Sequence, residues 1–117
     1  MQPYKSIFLE STSDVVASVD EAKQLFDISN LEWGKDLKSK TNFYSLDYQI
    51  PKGWRLPTIQ ELYTAYVLKV PGFKNEIYWS SGSLTTSDFA WAVNFKWGEV
   101  SDKYKKNENY VRCVRDI

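Results

Sequence analysis

Histidine is absent from the chain and cysteine occurs once, as Cys113. Together these gaps remove a Ser-His-Asp relay, a Cys-His pair, a thiolate-imidazole zinc site and a three-histidine iron site. One thiol cannot form an internal disulfide, so the sequence is compatible with a reducing compartment. No segment approaches the roughly 20 apolar residues of a membrane span. The start, Met1-Gln2-Pro3-Tyr4-Lys5-Ser6, has no apolar leader core. Internal repeats and low-complexity tracts are missing as well, which excludes solenoids.

Aromatic residues are plentiful, at 16% of 117 residues, so large flat side chains should carry much of a single core spanning residues 1–117. Fifteen basic and fifteen acidic residues cancel. No run of Lys or Arg is long enough to track a phosphate backbone, and nucleic acid is not an expected partner.

The most ordered stretch runs from Gly53 to Leu62, Gly-Trp-Arg-Leu-Pro-Thr-Ile-Gln-Glu-Leu. Pro57 presets the backbone for a helix, Thr58 can cap the amide of Glu61, and Glu61 can reach back, which makes a capping box. The helix is expected from Thr58 to Lys69, with Ile59, Leu62, Tyr63, Tyr66 and Val67 on its buried face and Pro71-Gly72 as its stop. A second capping box at Ser18 to Glu21 predicts a helix over residues 19–28, with Val19, Ala22, Leu25 and Phe26 on one side. Strands are expected at Tyr4 to Glu10, around Phe43 to Leu46, at Ile77 to Ser81, at Phe89 to Trp97 and at Tyr110 to Arg115; Asn30 to Lys35 reads as a strand end or turn. In Phe89 to Trp97 the large residues Phe89, Trp91, Val93, Phe95 and Trp97 alternate with Ala90, Ala92, Asn94 and Lys96, as one covered sheet face requires. Glu99 to Asn109 reads as a hydrophilic loop joining two strands of one sheet.

The order of the Gly53–Leu62 motif, Tyr78-Trp79-Ser80-Ser81, Ala90-Trp91-Ala92-Val93-Asn94-Phe95 and Tyr110-Val111-Arg112-Cys113-Val114-Arg115 resembles the C-terminal domain family of the collagen-like Lcl adhesins. The resemblance covers roughly residues 30 to 115. It implies an α+β fold of C-type-lectin-like type, related to that of formylglycine-generating enzymes, with two helices packed on short antiparallel β-strands. It also implies that Trp79 occupies a central core strand. The chain departs from the pattern in lacking a partner for Cys113 and an evident helix before Gly53. The Glu-Pro-Asn or Gln-Pro-Asp loop of calcium-dependent sugar binders is missing, and so is the cysteine pair of the formylglycine-generating type. No metal and no cofactor are expected.

Structural roles are expected for Trp54, Arg55, Pro57, Thr58, Glu61, Trp79 and Trp91, with Trp54 packed inward and Arg55 paired to a carboxylate such as Glu61 or to loop carbonyls. Acid-base work by Glu61, Asp88 or Asp102 lacks a spacing that pairs two of them. The function expected is therefore non-catalytic binding through residues 82–109. The candidate contacts are Ser83, Thr85, Thr86 and Asp88 in one polar loop, and Trp97, Lys103, Tyr104, Lys105 and Lys106 in a basic and aromatic group. The partner expected is another protein. The alternative is an adhesin or phage-type surface module holding a receptor or an acidic or sulfated glycan. An exposed Trp97 or Tyr104 would favour the glycan, and a broader apolar patch the protein. The missing leader core, the neutral charge and the lone thiol tilt the expected location to the cytoplasm over a cell surface or virion.

Overall fold

Alternation in the strand after residue 88 organises the molecule. The computed structural model describes residues 16–83 and 88–117. Its elements are helix α1 (Val19–Ala22), strand β1 (Leu31–Asp36), a 3₁₀ helix (Phe43–Tyr48), helix α2 (Ile59–Val67), and strands β2 (Ile77–Ser83), β3 (Phe89–Asn94), β4 (Glu99–Tyr104) and β5 (Arg112–Asp116). Strands β2, β3 and β4 form one antiparallel sheet in that order, and β1 pairs antiparallel with β5 in a second. This is an α+β arrangement with few helices. Among the described residues no helix is long and apolar enough to cross a membrane.

Both faces of the three-stranded sheet are covered. Trp91, Val93 and Val100 join Tyr78 and Phe95 under Ile59 and Leu62 of α2 and Ala22 of α1. The alanines between them, Ala90 and Ala92, lie with Trp79 against Leu46, Leu56, Val111 and Cys113. The large residues suit the gap to a helix, whereas a methyl-sized side chain lets the second layer approach closely. Sequence alternation identified the first face; the alanines concealed the second. Two of the five large residues are not core, since Phe89 and Trp97 are exposed.

Trp79 and Tyr78 are fully buried, and each polar tip is satisfied. The Trp79 indole donates to Thr41 O at 2.8 Å and the Tyr78 hydroxyl to Asp36 Oδ2 at 2.9 Å. Ser80 is buried too and faces the neighbouring strand, where its hydroxyl donates to Trp91 O at 2.8 Å.

Several expectations need correction. The helix over 19–28 is one turn, Val19–Ala22. Beyond it the Phe26 amide donates to Thr64 Oγ1 on α2 at 3.0 Å, and Leu25 is exposed. The 43–46 strand is a 3₁₀ helix, because the Asn42 side chain accepts the Ser45 amide at 3.0 Å and starts a tight turn. Glu99 to Asn109 is not all loop: β4 pairs with β3 from Asn94↔Glu99 to Phe89↔Tyr104. An edge strand needs only one apolar side, which is how a hydrophilic segment forms it. The strands flanking this segment, β3 and β5, belong to different sheets. Val67 is exposed, and α2 buries Ile59, Gln60, Leu62, Thr64 and Ala65. The strand expected at Tyr4 to Glu10 lies outside the described residues.

Candidate functional site

The capping box expected at Thr58 is formed: Thr58 Oγ1 accepts the Glu61 amide at 3.1 Å, and Glu61 Oε1 accepts the Thr58 amide at 2.9 Å. Arg55 completes this corner. Its Nη1 and Nη2 donate to the two Glu61 oxygens at 2.9 and 3.0 Å, its Nε and Nη2 reach Asp116 at 3.2 and 3.1 Å, and Nη1 also reaches Leu56 O at 3.1 Å. Burial works against the Arg55 charge, but its hydrogen bonds and the attraction of Glu61 and Asp116 outweigh this and hold its pKa above the ordinary value. Pro57 is buried beside it. Trp54 is half-buried, with the Arg115 guanidinium 4.5 Å above its ring.

The expected binding residues divide between the two ends of the β3–β4 pair. Trp97 sits in the turn after Asn94 and is 69% exposed, with Lys96 Nζ 5.0 Å from its ring centre. Tyr104 lies at the other end, opposite Phe89. Five residue steps separate these ends, about 17 Å, so Trp97 and the Tyr104 group are separate surfaces.

At the Tyr104 end three segments converge. Phe89 and Tyr104 place their rings 5.7 Å apart, and the Tyr44 hydroxyl donates to Asp88 Oδ1 at 3.1 Å. Tyr44, Phe89 and Tyr104 are 51%, 41% and 37% exposed. Lys106 Nζ lies 5.9 Å from the Tyr104 ring centre and Lys105 Nζ 5.2 Å from that of Phe43. Lys103 pairs with Ala90 and is half-buried on the side of the sheet away from Tyr104. Lys103 is therefore set apart from Tyr104 and Lys106. Slight desolvation, the hydrogen bond to Asp88 and the charge of Asp88 raise the Tyr44 hydroxyl above its ordinary pKa. Thr85 and Thr86, and the side chain of Ser83, lie outside the described residues. Tyr44 was not expected at the site, because nothing periodic marks it; only the Asn42 cap turns it towards Asp88.

A second recess forms on the two-stranded sheet, where sequence reading had placed no site. The register shifts between Trp33 and Asp36: Trp33 faces Val114 and Asp36 faces Arg112, so three steps of β1 match two of β5. Such a bulge re-aims the residues after it. In a regular strand Trp33 and Asp36 would point to opposite faces; here they share one, with Arg112 between. The cleft of 680 Å³ is lined by these three and by Trp54, Gly72 and Lys74, among others. Lys74 Nζ lies 3.6 Å from Asp36 Oδ2 and 4.8 Å from the Tyr110 ring centre. Burial, and then Asp36, keep the Tyr78 hydroxyl protonated well above its ordinary range. Burial lowers the Arg112 pKa, with Asp36 opposing it. Its signal in the sequence was a charged residue inside an apolar strand run, Val111-Arg112-Cys113-Val114.

The acid-base candidates are dispersed. Both Glu61 oxygens are occupied by Arg55, Asp88 holds Tyr44, and Asp102 is exposed on β4 opposite Trp91. Burial pushes the Cys113 thiol up to about 11, which leaves it unreactive at neutral pH.

No curated protein matches the chain. The model of the Lcl C-terminal domain matches residues 17–115, a span that contains every element described above except the last residue of β5, Asp116. The chain belongs to the Lcl C-terminal domain family.

Proposed function

We propose that this chain is a non-catalytic binding module on a C-type-lectin-like α+β scaffold, and that it holds another protein at the end of the three-stranded sheet. The observation that supports this reading is the convergence of Tyr44, Phe89 and Tyr104, exposed aromatics from three segments, beside Lys105 and Lys106. Rigid aromatics bury large area at small entropic cost, and lysines around them favour a partner with acidic residues about an apolar centre. Charge would speed encounter, and the rings would hold the complex.

A Tyr44→Ser, Tyr104→Ser double variant, compared with Lys105→Ser, Lys106→Ser, tests this against captured partners in rising salt. The first should abolish capture and the second should weaken it most at low salt, while thermal unfolding changes little in either. Capture that survives both variants would remove this surface from the function.

The exposed Trp97 supports a second reading, a stacking platform for a receptor or glycan. Signal on a glycan array that disappears with Trp97→Ala and survives the tyrosine changes would favour it.

A further inference from the structure

The cleft on the two-stranded sheet presents a cation that the fold has fixed in place without an ion pair among the described residues. Arg112 donates from Nε to Gly34 O and from Nη1 to Pro71 O at 2.8 Å, and its guanidinium rests 4.6 Å from the Phe73 ring centre. Gly72, at φ 99°, passes so close that a Cβ there would lie 2.9 Å from Nη1. These contacts settle the position of the group. Among the described residues Nη2 has no hydrogen-bond acceptor and no carboxylate comes within ion-pair distance of Arg112.

The charge around it is unbalanced in one direction. Lys35, Lys74 and Arg112 line the cleft against Glu32 and Asp36, and Glu32 is already held by Arg115. The walls include two tryptophans, Trp33 and Trp54. A volume of 680 Å³ lies within the range of small-molecule sites.

We propose that this cleft binds a small carboxylate carried on a flat apolar body, with Arg112 Nη2 and Lys74 Nζ on the carboxylate and the body along the tryptophan walls. A carboxylate fits better than sulfate or phosphate because two of the three Arg112 nitrogens are committed to backbone carbonyls. The full fork that an oxyanion with more acceptors would use is not offered. Lys74 is the mobile partner, since its side chain is exposed and its ion pair with Asp36 is long. The Tyr44 surface is not involved.

Titrating the isotope-labelled protein with benzoate, benzyl alcohol and inorganic sulfate, read by amide and indole NMR shifts, tests the assignment. Benzoate should saturate with a dissociation constant on the order of 1 mM, moving Gly34, Gly72, Lys74 and the Trp33 and Trp54 indoles and leaving Tyr44 and Tyr104 still. Benzyl alcohol and sulfate should each bind at least about tenfold more weakly, the first for want of charge and the second for want of a ring. Lys74→Gln should weaken benzoate by about threefold or more without altering the response to benzyl alcohol, and Arg112→Lys should weaken it further. If Arg112→Lys fails to fold, Lys74→Gln and the three ligands decide the matter. Absence of saturable shifts, equal binding of sulfate or benzyl alcohol, or unchanged benzoate affinity in Lys74→Gln would each overturn the proposal.

Discussion

Arg55, bridged to Val114, and Arg112, paired with Asp36, both meet β5 and are used in different ways. Arg55 gives hydrogen bonds to Glu61, Asp116 and Leu56 O, which joins the start of α2 to the end of β5. Arg112 meets carbonyl oxygens and ring faces, and it joins β5 to β1 and to the loop after α2. The first group is saturated and closes a corner. The second is positioned by its neighbours and keeps donor capacity and charge. An arginine paired with carboxylates has been assigned to stability; one held by carbonyls and rings stays available for a ligand.

The contrast breaks first if the corner proves weak. Glu61→Ala removes the carboxylate of the bidentate pair and half of the capping box, and should cost about 2 to 3 kcal/mol in urea denaturation. Asp116→Asn, on a side chain that is 69% exposed, should cost under about 0.5 kcal/mol because water screens that pair. Equal losses in the two variants would mean that Arg55 acts through general charge rather than through Glu61. Trp54 touches both regions, since its ring stacks on Arg115 and lies against Gly34. Half-buried as it is, Trp54→Ala should cost about 2 kcal/mol, less than a fully buried Trp would. A loss above about 4 kcal/mol would mark Trp54 as a core residue of the corner.

Arg112→Met should cost about 1 to 1.5 kcal/mol, since the methionine keeps part of the packing while two carbonyls lose their donor. Hydrogen exchange should show Gly72 to Lys74 opening more readily, with α2 unaffected. Protection of α2 that falls in step would show the two regions to be one cooperative unit. The smallest effect concerns the other side of β5. The Cys113 thiol is raised by burial from 9.0 to about 11, so the folded state keeps a proton that the unfolded chain releases. Its contribution is whole below pH 9.0 and is lost as pH rises towards 11, about 1 kcal/mol at pH 10. Tyr78 adds to the loss only above its ordinary value of 10.0. Denaturation at pH 8 and pH 10 should show a drop that Cys113→Ala reduces; an unchanged drop would assign it to other groups.

The corner was readable because its parts are near one another in the chain. Pro57, Thr58 and Glu61 make a helix start whatever the tertiary context, and Arg55 lies six residues from Glu61. The α+β class came with the family resemblance that this motif helps to carry. The cleft was not readable, because it depends on which residue of β1 faces which residue of β5. Gly34 and Arg112 are 78 residues apart, and the shift between Trp33 and Asp36 leaves no local mark. The Tyr44 surface was half readable. Tyr104 and its lysines stood out, but their segment passed for a loop because β4 is hydrophilic, and Tyr44 was hidden in a stretch without a period. Ala90 and Ala92 misled in the same way, since small residues looked like an outer face while serving as an inner one.

Strand β1 finds its partner late. Glu32 pairs with Arg115 across 83 residues, which at common rates of synthesis is a delay of about 4 to 16 s. Within that interval α2, β2, β3 and, last, β4 are synthesised. Trp33 and the open backbone of β1 meanwhile stand exposed on the nascent chain. A straight strand in that state would offer itself to any neighbouring strand edge. The irregular step between Trp33 and Asp36 makes it a poor match for a regular edge and reserves it for β5, so the same kink that shapes the cleft also guards the growing chain against the wrong partner.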